Sequence, residues 1–187
     1  MSPVVRPYDP DSDAEGLYRC KLAIERGLGE HTGGDEKAGV YEGKLTDGYR
    51  DRWLDWVGRC VDDDERCVTV AVEPAERGEA GGGSVPADRD DDLVGYVFVL
   101  PERLAMIWDA AVINELYVAP EHRGTGVADD LMAAALDLAR DQELPLDRAV
   151  LDVDPANERA RAFYDRHGFD GWGEMVARPL DRPDIRE

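Results

Sequence analysis

Residues 113–140 read INELYVAPEHRGTGVADDLMAAALDLAR, and the fold turns on this stretch. Ile113 to Val118 is a short apolar, β-rich run. The chain then passes through Arg123, Gly124, Thr125 and Gly126 into a segment where Val127, Ala128, Leu131, Met132 and Ala135 recur at helical spacing. A strand feeding through a glycine turn straight into an amphipathic helix leaves the first helical N–H groups unpaired and pointing out of the turn. Together with the positive end of the helix dipole, those donors favour a bound anion, and the glycines let the backbone approach it closely. The segment reads as a phosphate cradle.

Three anion-binding turns compete for Arg123 to Ala128. A Walker loop ends in Gly-Lys-Ser or Gly-Lys-Thr, where lysine meets phosphate and the hydroxyl meets magnesium; here the turn continues Gly126-Val127-Ala128-Asp129. A dinucleotide GxGxxG would start at Gly124, but Asp129 stands in the last glycine position and would turn its carboxylate toward a pyrophosphate. The pattern Arg-x-x-Gly-x-Ala is satisfied by Arg123, Gly126 and Ala128. In it, small residues expose successive amides while the arginine sits at the mouth of the turn.

Outward from the cradle, periodicity places the other elements. Val4 to Tyr8 reads as a strand, and Asp-rich residues cap a helix from about Ala14 to Arg26, with Leu17, Cys20 or Lys21, and Ile24 on one side. Gly27 to Lys44 mixes glycines and charges and reads as an irregular loop, a solvated connector before it is a lid. Tyr49 to Val61 sets Tyr49, Trp53, Trp56, Val57 and Cys60 at helical spacing, a core face rather than an aromatic binding stripe. Cys67–Val72 and Leu93–Leu100 are strands joined by a Gly-, Pro- and acid-rich connection over 74–92, expected to be flexible. After the 126–140 helix come a strand at Ala149–Val153 and a helix capped by Asn157. Ala160, Phe163, Tyr164 and His167 share a face of that helix, and Gly168 stops it. Gly171–Pro179 reads as a last strand. The order is β, two helices, antiparallel strands, then β-α-β-α-β.

With 187 residues and 43% hydrophobic content, the expectation is one domain spanning 1–187. The 22 Lys plus Arg face 42 Asp plus Glu, a formal net charge of -20. That balance argues against a nucleic-acid partner. Self-repulsion of this size is relieved by salt, which screens over about 10 Å at 0.1 M. Arginine far outnumbers lysine, which occurs only at positions 21, 37 and 44. A salt-adapted (halophilic) cytoplasm is the expectation, the arginine bias being equally an outcome of genomic base composition. Cys20, Cys60 and Cys67 are odd in number without CxxC spacing, which suggests free thiols and no zinc site. No secretory signal pattern and no apolar run of about 20 residues is present, so a cytoplasmic protein with no membrane partner is expected.

The segments ELYVAPEHRGTGVADDLM and LDVDPANERARAFYDRHGF together resemble the GNAT superfamily of acetyl-CoA-dependent N-acetyltransferases. The first resembles the family's strand, Arg/Gln-x-x-Gly-x-Gly/Ala turn and helix; the second, its later strand, asparagine and Phe-Tyr helix. The likeness covers Leu93 to Phe169 well and the N-terminal part loosely. It implies an α/β (α+β) fold with a mixed, mostly antiparallel sheet of six to seven strands flanked by helices and a V-shaped splay between two strands.

The resemblance also implies a chemistry. The amides of Arg123, Gly124, Thr125, Gly126, Val127 and Ala128 would hold the pyrophosphate of acetyl-CoA, with Arg123 supplying charge or ordering the loop. Leu116, Tyr117 and Val118 would offer backbone groups to the pantetheine arm and the acetyl carbonyl, where an N–H stabilises the oxyanion. Asn157 reaches the cofactor arm or caps its helix, and the two roles are compatible. Tyr164 is the candidate acid for the departing thiolate, its phenol being protonated at neutral pH; the alternative is a tyrosine packed in the core. Glu115, Asp152 or an ordered water serves as base. His122 and His167 read as structural or solvated. The expected activity is acetyl transfer to a primary amine, a peptide N-terminus or a small molecule. The contrasting readings are a non-catalytic acyl-CoA-binding module and, further off, a dinucleotide-binding protein. No metal is expected. A homodimer through C-terminal strands near Trp172 is a further implication.

Overall fold

The computed structural model describes residues 2–31, 42–74 and 93–176. In chain order the elements are β1 (Val4–Pro7), α1 (Pro10–His31), α2 (Asp47–Asp63), β2 (Val68–Val72), β3 (Leu93–Val99), α3 (Glu102–Ala105), β4 (Ala111–Val118), α4 (Val127–Asp141), β5 (Ala149–Val150) and α5 (Glu158–Arg166). The strands form one sheet in the order β1-β2-β3-β4-β5. The first four pair antiparallel, and β5 joins β4 in parallel. Every residue of β3 is buried, as an apolar run must be when helices cover both sheet faces: α1 packs on β3 and β4, and α4 packs on β2, β3 and β4. Trp56 of α2 lies 4.9 Å from Phe98 between ring centroids, and Val57 and Cys60 are fully buried, so the aromatic stripe of α2 is a core face. Cys20, Cys60 and Cys67 are buried free thiols.

The sheet has five strands among the described residues, not six or seven. The expected strand at Gly171–Pro179 does not form over its described part, 171–176. Those residues carry two glycines and lack an apolar face that a neighbour covers: Trp172, Met175 and Val176 are all exposed. Trp172 instead lies under the Arg148 guanidinium, 3.7 Å from its ring centroid. The strand expected to reach Val153 ends at Val150, because its only ladder partners on β4 are Ala111 and Val112. Beyond Val112, β4 runs on to Val118 with its β5 side free of strand pairing among the described residues.

Helix α1 starts at Pro10, earlier than Ala14, and runs to His31. Proline suits the first helical position because its missing N–H would be unpaired there anyway, and Asp9 accepts from the Asp11 amide (3.0 Å) and the Ser12 hydroxyl (2.9 Å). The helix continues through Gly27, inside the expected loop, since extending an established helix costs only each residue's own propensity. The remainder of that loop, 32–41, and the connection from 75 to 92 lie outside the described residues.

Candidate active site

The glycine turn is built for backbone donation. Gly124 and Gly126 adopt φ of +78° and +97°, the left-handed region that glycine enters without steric cost. Gly126 caps α4 without a side-chain acceptor, so the amides of Val127 and Ala128 remain available at the positive end of a 15-residue helix. One bond fastens the turn to the end of β4, Arg123 Nε donating to the Val118 carbonyl (3.1 Å), and a second closes the turn on itself, Thr125 Oγ1 donating to the His122 carbonyl (2.7 Å). Arg123 therefore orders the loop. Its pKa is lowered, first by burial and then by the neighbouring Arg159 charge, so two arginines gather beside the cradle of a strongly acidic chain.

Asp129, the residue that breaks the dinucleotide pattern, turns toward α5. Its carboxylate accepts from Arg166 Nη2 (2.9 Å) and lies 2.9 Å from His167 Nε2. The Arg166 hydrogen bond chiefly holds the carboxyl below its usual range. His167 thus ties the start of α4 to the end of α5, a structural role. Asn157 caps α5, its Oδ1 accepting from the Ala160 amide at 3.1 Å.

Tyr164 packs edge-on against Phe163 and Phe169, with centroids 5.5 and 5.9 Å away. Burial raises its pKa, so the phenol stays protonated well above neutral pH, and no described residue bonds its hydroxyl. Leu116 and Tyr117 are half-buried at the free side of β4 and Val118 is buried. Asp152 is exposed beyond the end of β5.

Glu115 sits differently. It lies on β4 facing α1, its side chain 10% exposed. Lys21 Nζ of α1 stands 2.6 Å from its Oε1, and the Tyr96 hydroxyl of β3 donates to its Oε2 at 2.5 Å. Lys21 Nζ is also 2.7 Å from Glu25 Oε1. Glu25 in turn accepts from the Tyr49 hydroxyl (3.0 Å) and pairs with Lys44 through Oε2 (2.6 Å). The Lys21 ammonium stands 5.6 Å from the Trp53 ring centroid. Burial works to lower the Lys21 pKa, but Glu115 and Glu25 outweigh it and raise the value. Burial pushes Glu25 up, but the bonds from Lys21, Lys44 and Tyr49 prevail and lower it. Tyr49 is pushed up to about 12, mainly by burial.

Sequence reasoning assigned Lys21 only to a helix face and missed Glu25, Tyr96 and Lys44. One signal was available: Lys21 and Glu25 are four apart on a helix, and two of the chain's three lysines meet in this cluster. A surface hollow of about 370 Å³ between the ends of α2 and α4 is lined by Asp63, Arg66, Glu102, Arg103 and Asp141; none of the candidate residues borders it. Among the described residues no group of His, Cys, Asp or Glu is placed to hold a metal, and no helix is long and apolar enough to cross a membrane.

Comparison with known proteins gives a consistent picture. The model of the acetyltransferase (GNAT) family matches residues 44–169. A mycothiol acetyltransferase of Salinispora tropica is 33% identical over 117 residues, covering 54% of this chain and 38% of that protein. One from Salinispora arenicola is 42% identical over 67 residues, 34% of this chain and 22% of that protein. The chain therefore spans well under half the length of these curated relatives. Among solved structures, a GCN5-related N-acetyltransferase from Ralstonia eutropha superposes with a TM-score of 0.61 at 20% identity, covering 95% of this chain and 98% of that one. The NatC complex bound to Gag peptide and CoA superposes with a TM-score of 0.57 at 17% identity, covering 94% and 89%. At these identities the likeness is one of fold.

Proposed function

This chain belongs to the acetyltransferase (GNAT) family, and from that premise we propose that it transfers the acetyl group of acetyl-CoA to a primary amine by direct attack on the thioester. The observation that carries this reading is the uncapped start of α4 behind two left-handed glycines, opening beside the stretch of β4 that β5 leaves unpaired. In this reading the amides from Gly124 to Ala128 bind the pyrophosphate, the Arg123 amide being already donated to the Pro120 carbonyl (3.3 Å), and the charges of Arg123 and Arg159 assist. Leu116 to Val118 bond the pantetheine arm. Asn157 acts through its cap, setting the start of the helix that carries Tyr164.

The amine nitrogen bonds to the thioester carbonyl carbon, the C–S bond breaks, and the sulfur leaves with a proton. Glu115 takes the proton lost by the amine, since it faces the α1 and α2 side of β4, where an acceptor would approach. Asp152, exposed past the end of β5, is the lesser candidate. Tyr164 supplies the proton to sulfur: its phenol is protonated and half-buried, and its hydroxyl is bonded by no described residue. The negative surplus belongs to the same proposal, as adaptation to a salt-rich cytoplasm.

The test is release of free CoA from acetyl-CoA with a panel of small amines and peptide N-termini. Tyr164→Phe is expected to lower kcat by about 10²- to 10⁴-fold, the usual contribution of a placed acid or base, with acetyl-CoA affinity changed by less than about twofold. Unchanged turnover removes Tyr164 from the mechanism. Acetyl-CoA binding without acceptor-dependent CoA release identifies a non-catalytic binding module instead.

A further inference from the structure

We infer that Lys21 is a positioning residue, whose ammonium fixes the Glu115 carboxylate, jointly with the Tyr96 hydroxyl, in the orientation of a proton acceptor for the incoming amine. This rests on the reading of Glu115 as base. A carboxylate that is 90% buried is costly to ionise unless it is paired and hydrogen-bonded. Here one oxygen takes the Lys21 ammonium and the other takes the Tyr96 hydroxyl. A carboxylate offers about four acceptor positions, so two such bonds lock its orientation and still leave room for an amine N–H.

Lys21 is held in turn. Glu25 grips it from the next turn of α1, and Glu25 is itself engaged by Lys44 and the Tyr49 hydroxyl. The two carboxylates, with burial opposing them, keep Lys21 charged. A charged ammonium has no lone pair, so Lys21 does not compete with the acceptor for the thioester. With two ammoniums against two carboxylates the cluster is neutral. Its use is then geometric, and it does not act as an electrostatic trap for polycations. The titratable groups around Glu115 are Cys20, Lys21 and Glu25 on α1, Lys44 and Tyr49 on the α2 side, and Tyr96 on β3.

The experiment compares the full chain with Lys21→Met, Lys21→Arg, Tyr96→Phe and the double variant Lys21→Met/Glu25→Gln. The double variant removes one charge of each sign and so keeps the cluster neutral. Each is assayed for kcat and KM between pH 5.5 and 9.5, with melting temperature and acetyl-CoA Kd as controls. Removing the ammonium is expected to lower kcat about tenfold or more, as for a proton acceptor left out of position, with a smaller change in KM for the acceptor. The acetyl-CoA Kd should stay within about twofold. Lys21→Arg should recover most of kcat, and Tyr96→Phe should lower kcat as well, because it frees the second carboxylate oxygen. A folded double variant with the parent's kcat overturns the inference. Glu115→Gln separates the two levels. If it keeps full turnover, the base assignment itself fails; if it loses turnover while the double variant does not, only the role of Lys21 fails.

Discussion

Replacing Gly95 by alanine should disturb both stability and acetyl-CoA binding, for one geometric reason. Gly95 of β3 lies opposite Val118 of β4. A Cβ built there stands 2.7 Å from the Tyr117 carbonyl oxygen and 3.3 Å from both Leu131 Cδ1 and Val118 Cγ2. Ordinary contact begins near 3.4 Å, so the added methyl is short of room by about 0.7 Å. Leu131 is fully buried and Val118 nearly so, and the closest atom is backbone, so the strain falls on β4 itself. Overpacking of this kind costs about 1–3 kcal/mol. The lower unfolded-state entropy of alanine returns about 0.4–1 kcal/mol. A net loss of about 1–2 kcal/mol lowers Tm by roughly 2–8 °C for a chain of this size. The displaced segment is the one proposed to bond the pantetheine arm. A shift of about 0.7 Å carries a hydrogen bond out of its 2.7–3.2 Å range, and a lost bond of about 0.5–1.5 kcal/mol weakens acetyl-CoA binding roughly two- to tenfold. Thermal melting and isothermal titration measure the two effects. Gly58→Ala, in α2 with nothing within 4 Å of its new methyl, is the control and should be neutral or slightly stabilising. A Gly95→Ala protein that melts within 1 °C of the parent and binds acetyl-CoA equally well would refute the reasoning.

Two further predictions concern charge. Asp13 is almost fully buried and takes both Arg6 Nη groups (2.6 and 2.8 Å) and the Asp9 amide (2.8 Å). Burial pushes its carboxyl up, but these bonds prevail and hold it below the usual range. Its contribution is therefore complete above the unfolded value of about 3.9 and is lost as pH falls through the lower folded one. Asp13→Asn should cost about 1.5–3 kcal/mol at pH 7 and lose less than the parent between pH 4 and 2; urea titrations in which both proteins show the same acid slope would exclude the pair as a cause. For the chain's net charge of -20, the urea midpoint should rise between 0.1 and 1 M KCl, as the screening length shrinks from about 10 to about 3 Å. A flat or falling midpoint contradicts salt adaptation.

Local pattern was a good guide where one residue's environment follows from its near neighbours. The apolar run of β3, the helical stripe of α4 and the Asn157 cap were all legible, because strand and helix periods repeat within a few residues. The limits of α1 were less so. Pro10 and Asp9 begin the helix four residues before the expected start, and the helix passes through a glycine that reads as a breaker. The end of β5 was not legible at all. Ala149–Val153 is a largely apolar run interrupted by Asp152, but only its first two residues meet a partner, and composition does not say where a neighbouring strand diverges.

The glycine cradle follows from sequence alone, since left-handed glycines and an uncapped helix start are local properties of consecutive residues. The sequence likewise identified the helix that carries Tyr164. The surroundings of Glu115 needed the tertiary structure. Lys21 lies 94 residues away from Glu115 and Tyr96 lies 19 away; Lys21 reaches its carboxylate because α1 packs across β3 and β4, and Tyr96 because β3 pairs with β4. A buried charge takes its partner from whatever the fold brings within about 3 Å, and sequence spacing carries no record of that distance.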